Sequence, residues 1–225
     1  GAAGLVCAYV LGPRIGYGRK PFPPYNLALT LMGASLLWVG WFGFNAGSAG
    51  AADARAAMAM LVTQVAAATA AAAWMLTEWL VRSRVTLLGA CSGAVGGLVA
   101  ITPASGFVDV VGALAIGAAA GFLCYFGATG LKRALKVDDS LDVFGIHGVG
   151  GLVGAILTGV FAQKALSGAT AQLSAQVVGA LATLVYSAAV TYVILKVIEW
   201  TIGLRVTQEQ EEDGLDLSIH GEHVG

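Results

Sequence analysis

The stretch LALTLMGASLLWVGWFGFNAGSAG, residues 27–50, decides the fold class of this chain. It contains no charged residue, and it is longer than the ~20 residues with which an α-helix crosses a hydrocarbon core about 30 Å thick. A charged side chain is costly at the centre of a bilayer, so an uncharged stretch of this length is typical of membrane spans. Residues 27–50 therefore predict a transmembrane helix.

Similar apolar stretches recur along the rest of the chain. The six predicted spans are 27–50, 56–80, 85–107, 110–130, 139–162 and 175–201. Upstream, GAAGLVCAYVLG is apolar but too short to span, and we interpret it as the remnant of another helix. Only helices and closed barrels satisfy the backbone in lipid, and these stretches are too long for barrel strands. The predicted fold class is an all-α polytopic membrane protein with six full transmembrane helices and an N-terminal helix remnant.

The composition excludes several other classes of protein. Of 225 residues, 57% are hydrophobic and 11% are charged, against about 25% charged in an average soluble domain. The mean hydropathy of +0.80 excludes intrinsic disorder. Lys and Arg total 12 against 13 acidic residues, without a dense basic cluster, so we expect no nucleic-acid partner. The three cysteines show no CxxC spacing and indicate buried hydrophobic side chains, and we expect no cofactor or metal site.

The positions of Lys and Arg predict the orientation. If the loop before the first full span is cytoplasmic, only Arg55 and Lys164 lie outside. The basic residues on the cytoplasmic side are then Arg14, Arg19, Lys20, Arg82, Arg84, Lys132, Arg133, Lys136, Lys196 and Arg205. This positive-inside bias predicts a transmembrane domain at residues 1–202 and a cytoplasmic tail at 203–225.

Glycines four residues apart recur in the predicted spans. Such pairs lie on one helix face and favour close helix packing in membranes. The pairs and triplets are Gly43 and Gly47; Gly89, Gly93 and Gly97; Gly117 and Gly121; and Gly150 and Gly154.

His147, in DVFGIHGVGG, is the sharpest functional candidate. If its helix begins near Asp139, a rise of ~1.5 Å per residue places His147 roughly 12 Å deep, near mid-membrane. An intramembrane ionisable residue is a functional hypothesis by default. Two interpretations stay open: a pore-lining neutral imidazole, or a histidine satisfied by a neighbouring helix. The residues expected to share its face are Val143, Gly150, Gly151 and Gly154.

Other polar and aromatic residues sit near the ends of the predicted spans. Asp139 and Asp142 can cap the helix that carries His147, and we predict a structural role near the inner end. Glu78 and its neighbour Trp79 are predicted to be interfacial anchors.

Trp41, Phe44 and Ser48 form a stripe with i, i+3, i+7 spacing toward the outer end of the first full span. Two ring faces and a hydroxyl can hold a small cation without binding it too tightly for release. The alternative is an aromatic interfacial belt with core packing.

Four long motifs resemble the ammonium transporter (Amt/Mep/Rh) family, and its bacterial Amt branch in particular. They are GWFGFNAGSAG, LLGACSGAVGGLVAITPASG, KVDDSLDVFGIHGVGG and GLRVTQEQEEDGLDLSIHGE, in that order. Family members have two inverted halves and assemble as trimers with one pore per subunit. By its motifs, this chain resembles the part of the family from the end of the fifth helix to the C-terminal tail.

The resemblance implies transport of ammonium or ammonia through a narrow hydrophobic pore, and no enzymatic activity. Ser48 matches the hydroxyl of the outer recruitment site, Phe44 matches one of the stacked phenyl rings that close the pore, and Trp41 matches a tryptophan along the lumen. His147 matches the second of two hydrogen-bonded pore histidines. Asp139 matches an aspartate near the inner end, for which we expect a mainly structural role.

The resemblance also implies partners. These are the bilayer of the cell (inner) membrane, two further copies in a homotrimer, and a P-II nitrogen signalling protein whose docking the cytoplasmic tail influences. The first pore histidine and the second phenyl ring lie upstream of the part that this chain matches. We therefore expect this fragment alone not to conduct.

Three other functions are alternatives to ammonium transport. An ammonium sensor would use the same site with the tail as its output. A Rh-type gas channel is closer, but the tail resembles the Amt branch. An intramembrane hydrolase built from Ser48, His147 and Asp139 fails because the three residues lie at different predicted depths.

Overall fold

The structure is a computed structural model and describes residues 1–168 and 170–222. Helices dominate it, and the described residues form no β-strand. The helices are α1 (Ala2–Leu11), α2 (Leu27–Gly47), α3 (Ala54–Arg82), α4 (Leu87–Ile101), α5 (Val110–Phe126), α6 (Lys132–Leu135), α7 (Val149–Phe161), α8 (Lys164–Ser167), α9 (Leu173–Thr201) and α10 (Gln208–Asp213). Three π-helical turns accompany them: Gly127–Leu131, Phe144–Gly148 and Asp216–His220. The predicted all-α fold class is confirmed.

Short polar side chains define where the long helices begin. The N-caps of α2, α3, α4 and α5 are, in this order, Asn26, Asp53, Thr86 and Asp109. Each of these side chains accepts a hydrogen bond from a backbone N–H in the first turn of its helix. Such caps satisfy donors that have no partner inside the helix. The caps place the starts of these helices within three residues of the predicted ones.

Within the part of the chain that the structure describes, five helical segments are long and apolar enough to cross a membrane: Leu27–Gly47, Ala54–Arg82, Val110–Leu135, Phe144–Phe161 and Leu173–Thr201. The predicted span at 85–107 is wrong in length, because α4 covers only the 15 residues Leu87–Ile101. Pro103 follows two residues later, and a proline has no backbone N–H to continue the helical hydrogen bonds. The chain continues in turns to Asp109.

The span that carries His147 is also shorter than predicted. It begins at Phe144 rather than at Asp139. Asp142 has a φ of 55°, a left-handed conformation that a regular helix does not contain. The helical part therefore starts only after this residue.

Helix α3 forms the centre of the bundle and packs against both α4 and α5, which also contact each other. The alanines Ala66, Ala67 and Ala70 of α3 are fully buried. A β-carbon added to Gly97 of α4 would lie 2.7 Å from the carbonyl oxygen of Ala66, and one added to Gly117 of α5 would lie 2.6 Å from the same atom. Helices with such small residues at their contact approach backbone to backbone, which confirms the predicted close packing for α4 and α5.

Helices α2 and α9 lie at the periphery. In each of these helices, no residue of the most apolar 18-residue stretch is buried. Gly43 and Gly47 of α2 have no neighbouring atom within 4 Å of an added β-carbon. The close packing predicted for these two glycines is therefore not formed within this chain.

Charged and polar groups join the chain segments at both ends of the bundle. At the end that carries Arg14, Arg82, Lys132 and Arg205, here called the basic end, Arg14 Nη2 pairs with Asp138 Oδ1 at 2.7 Å. At the opposite end, Arg55 Nη2 donates to the carbonyl oxygen of Leu166 at 3.1 Å. Arg55 and Lys164 are the two basic residues that the charge pattern places on the side opposite to the others. They lie at the same end of the bundle, because α8 begins at Lys164 and its Leu166 contacts Arg55.

The tail folds back onto the start of the chain. Arg205 donates to the carbonyl oxygens of Leu11 and Pro13, at 3.0 and 2.8 Å. Glu211 accepts from the backbone N–H of Ile15 at 2.8 Å and pairs with Arg205 at 2.8 Å. These hydrogen bonds join the tail to residues 11–15 at the end of α1 and just after it.

We expect Gly97→Val to destabilise the bundle by about 1–3 kcal/mol, the usual effect of overpacking a close contact. The added atoms would meet the Ala70 side chain at 2.6 Å and the backbone of Ala66 and Ala67. Thermal unfolding in detergent measures the change. Gly130→Ala is the matched control, because no atom lies within 4 Å of its added β-carbon; equal melting temperatures for the two variants would contradict the packing.

Docking of the tail should weaken in acid. The backbone N–H of Ile15 and the Arg205 guanidinium hold the pKa of Glu211 below its usual range, and Arg14 does the same for the pKa of Asp138. A lowered carboxyl pKa stabilises the folded arrangement above the ordinary carboxyl range, and this stabilisation is lost as the pH falls through the lowered value.

Hydrogen exchange of the Ile15 amide should therefore accelerate at acid pH, beyond the change in chemical exchange alone. Glu211→Gln should show fast exchange at neutral pH and no further loss of protection in acid. Glu209→Gln is the control, and equal behaviour of the two variants would refute the role of Glu211.

Candidate functional site

The predicted stripe of α2 is formed at the end of this helix. The rings of Trp41 and Phe44 meet edge to face, with centroids 5.7 Å apart. Ser48 caps the helix, and its hydroxyl donates to the carbonyl oxygen of Phe44 at 2.6 Å. The Phe44 side chain is 60% exposed, so one side of this ring faces away from the chain. The structure thus brings Trp41, Phe44 and Ser48 together on one surface.

Two hydrogen bonds fix this part of α2 to the rest of the bundle. Trp41 Nε1 donates to Thr102 Oγ1 at 2.8 Å, just beyond the end of α4. Asn45 Nδ2 donates to Thr63 Oγ1 of α3 at 2.9 Å, and both residues are buried. A hydrogen bond between two buried polar groups specifies one register of the helices. Sequence reasoning missed Asn45, Thr63 and Thr102, although the signal was available as polar residues inside apolar helices.

His147 lies in the π-helical turn Phe144–Gly148 that precedes α7. Such turns are frequent at functional sites, since they change the direction of the side chains that follow. Its exposed side chain lines a cavity of about 440 Å³ between the start of α1, α7 and α9. Most of the lining is apolar, and its polar side chains besides His147 are Gln176, Thr183 and Ser187.

The predicted surroundings of His147 are correct only in part. Gly151 shares its cavity, but Gly150 and Gly154 face α4 instead. A β-carbon on Gly150 would lie 3.4 Å from the carbonyl oxygen of Gly96, and one on Gly154 would collide with the backbone of Ala100. The predicted depth of His147 assumed a helix that starts at Asp139, and this assumption is wrong because the helix starts at Phe144.

Asp139 and Asp142 hold the start of this helical segment in different ways. Asp139 is buried, and its carboxylate accepts from the backbone N–H groups of Val143 and Phe144, at 3.0 and 2.7 Å. It is therefore a helix cap, in the structural position expected of it. Asp142 forms an ion pair with Lys132 instead of a cap. Burial raises the pKa of Asp142, and the hydrogen bond from Lys132 opposes this shift.

The structure does not join the two predicted groups into one cavity. Trp41, Phe44 and Ser48 lie on α2, whereas the cavity at His147 is lined by α1, the segment around α7, and α9. Glu78 differs from its predicted role: it is 3% exposed and accepts hydrogen bonds from Thr86, so it is a buried group and not an interfacial anchor. Trp79 is 54% exposed, as an anchor would be.

Comparison with known proteins identifies what this arrangement resembles. The model of the Ammonium Transporter Family matches residues 1–224. An ammonium transporter of Aquifex aeolicus is 50% identical over 99% of the chain, and one of Bacillus subtilis is 45% identical over 99%. The chain covers 53% and 57% of these two proteins, so it spans about half the length of the curated relatives it matches.

Solved structures show the same fold. A structure described as Sensor Amt Protein superposes with a TM-score of 0.89 at 30% identity, over 97% of this chain and 56% of that one. Saccharomyces cerevisiae Mep2 superposes with a TM-score of 0.82 at 34% identity, over 89% and 50%. The match of the family model to almost every residue, together with these two folds, shows that this chain belongs to the ammonium transporter family.

Proposed function

We propose that this chain forms part of a transmembrane path for ammonium and ammonia. The observation that carries the proposal is a single one: in a chain matched to the ammonium transporter family over residues 1–224, the one histidine within the candidate spans opens onto a largely apolar cavity. Because the chain spans about half of its curated relatives, the activity belongs to the protein that contains both halves.

The end of α2 has the chemistry of a recruitment site. The Ser48 hydroxyl donates its proton to the carbonyl oxygen of Phe44, so its lone pairs are left to accept from an ammonium ion. The faces of Phe44 and Trp41 attract a cation through their π-systems. None of these groups carries a full charge, so the ion is attracted without being held too tightly to leave.

The apolar lining near His147 favours a neutral substrate. An ammonium ion that entered an apolar lumen would lose its hydration at a cost of several kcal/mol or more. Loss of a proton at the mouth removes most of this penalty, and ammonia then passes the imidazole, which relays protons. Na⁺ and K⁺ cannot lose their charge in this way, which explains selectivity against them. The only bond broken is an N–H bond of ammonium, and it is restored when ammonia takes up a proton after the passage. The substrate therefore leaves unchanged, and we propose a transporter and not an enzyme.

The orientation and partners complete the proposal. The basic end faces the cytoplasm of a cell (inner) membrane, as the positive-inside rule requires, and the tail at 203–225 lies on that side. The protein assembles as a homotrimer, and the tail transmits the state of a P-II signalling protein. The contacts of Arg205 and Glu211 with residues 11–15 support a regulatory role, since they link the tail to α1, whose first residues line the cavity at His147.

We expect His147→Ala in the full-length protein to reduce ammonium flux at least tenfold, since a positioned proton-transferring side chain contributes about 10²–10⁴-fold. Folding should be unchanged, because no hydrogen bond of the described residues depends on this side chain. Flux is measured in proteoliposomes with an internal pH dye, and Gly130→Ala is the control. Normal flux and selectivity in His147→Ala would reject the role of the imidazole.

Deletion of residues 207–225 should change ammonium flux or its response to the P-II protein, because it removes Glu211 from Arg205 and Ile15. Flux with and without the purified P-II protein measures both effects. Glu211→Gln, which weakens the same contacts in an intact tail, should shift flux in the same direction. Wild-type behaviour of both variants in both assays would refute the regulatory role.

A further inference from the structure

A second cavity, of about 310 Å³, lies at the basic end between α3, α4 and α5. It is separate from the cavity at His147 and from the stripe on α2. Its lining includes the polar and aromatic residues Trp74, Glu78, Thr86, Tyr125 and Asp142. None of these residues belongs to the path described above, apart from Asp142, which pairs with Lys132.

Trp74 lines this cavity, and nothing in the described chain accepts a hydrogen bond from its indole N–H. The residue is 4% exposed, and its indole N–H is buried without a hydrogen-bond partner among residues 1–168 and 170–222. The ring itself is fixed, since it packs edge to face against Tyr125 with centroids 5.7 Å apart. Buried donors in native proteins are nearly always satisfied, so an acceptor is expected at this point.

Glu78 presents the complementary acceptor. Its carboxylate accepts from the backbone N–H and the hydroxyl of Thr86, at 3.1 and 3.0 Å. No cationic group of the described chain forms an ion pair with it, and the nearby Arg82 guanidinium lies over the Tyr125 ring, 5.9 Å from its centroid. A carboxylate has about four acceptor positions, so it can take further donors.

Gly89 lies beside both groups. A β-carbon built on Gly89 would lie 2.9 Å from Trp74 Nε1 and closer still to Glu78 Oε2. The indole nitrogen and the carboxylate oxygen are therefore near each other, and any side chain at residue 89 would crowd both of them. Trp74, Glu78 and Gly89 all line the cavity of about 310 Å³, which has room for a small molecule.

The chemistry of the two groups selects the kind of molecule. It must accept a hydrogen bond from the indole and donate one to the carboxylate. Ammonium has no lone pair to accept with, Na⁺ and K⁺ have no proton to donate, and an anion would be repelled by Glu78. We propose that Trp74 and Glu78 form a binding site for one neutral molecule that is both acceptor and donor: ammonia, if the proposed transport function is correct, or water.

The experiment follows the indole proton of Trp74 by NMR, in the full-length protein with ¹⁵N-labelled tryptophan in lipid nanodiscs. Trp74→Phe assigns the resonance. Ammonium chloride is added at constant ionic strength, with potassium chloride as the reference salt, at two pH values. Binding of ammonia predicts a saturable downfield shift that is larger at the higher pH, where more of the added ammonium is neutral. Trp38, whose indole N–H is also unpartnered and which does not line this cavity, is the control.

Two variants test the site itself. Glu78→Gln should raise the half-saturating ammonia concentration about tenfold, the difference between a charged and a neutral acceptor. Gly89→Ala should abolish the shift, because its β-carbon would crowd both the indole nitrogen and the carboxylate and displace them. If Gly89→Ala does not fold, the Glu78→Gln comparison still decides.

The site binds water if the indole proton of Trp74 resonates downfield before ammonium chloride is added, exchanges magnetisation with water and does not shift when the salt is added. A proton at the position of an unbonded indole under every condition overturns the proposal, as does a direct bond to Glu78 without exchange with water. Flux of the wild-type protein is measured on the same preparation. If the protein shows no ammonium flux but the Trp74 indole N–H is hydrogen-bonded, the transport function is rejected and the site is retained. If flux is normal but this N–H forms no hydrogen bond, only the site is rejected.

Discussion

The close approach of α3 to both α4 and α5 is the contact on which the rest of the structure depends. In lipid, apolar surface gains little by leaving one hydrocarbon environment for another, so helices associate through van der Waals packing between small residues. Gly97 of α4 and Gly117 of α5 both approach the carbonyl oxygen of Ala66. This triple contact leaves α2, α7 and α9 to be positioned around it.

The candidate path depends on that central contact through a few polar bonds. Asn45 reaches Thr63 on α3 and Trp41 reaches Thr102 after α4, so the aromatic stripe of the peripheral α2 takes its position from the central helices. Gly150 and Gly154 seat α7 against α4, which turns His147 toward α1 and α9. The candidate functional side chains Trp41, Phe44, Ser48 and His147 therefore lie outside the core that α3, α4 and α5 form.

Charged residues at the basic end join segments of the chain that are distant in sequence. Arg14 pairs with Asp138, and Arg205 binds Glu211 and the backbone after α1. These groups lie outside the candidate spans, where water screens them and each pair contributes little by itself. Together they tie three sequence-distant segments to one surface.

The sequence by itself determined the membrane class, the approximate positions of the spans, the grouping of the loops at two ends and the residues with candidate chemistry. These features depend on hydropathy, charge and local caps, all of which act along the chain. The start of the segment at Phe144, the burial of Glu78, and the different faces taken by His147 and Gly154 were decided only by the tertiary structure. The physical reason is that these helices are apolar on nearly all sides, so their periodicity does not reveal which face meets a neighbour. That choice is made by the fit of one helix backbone against another.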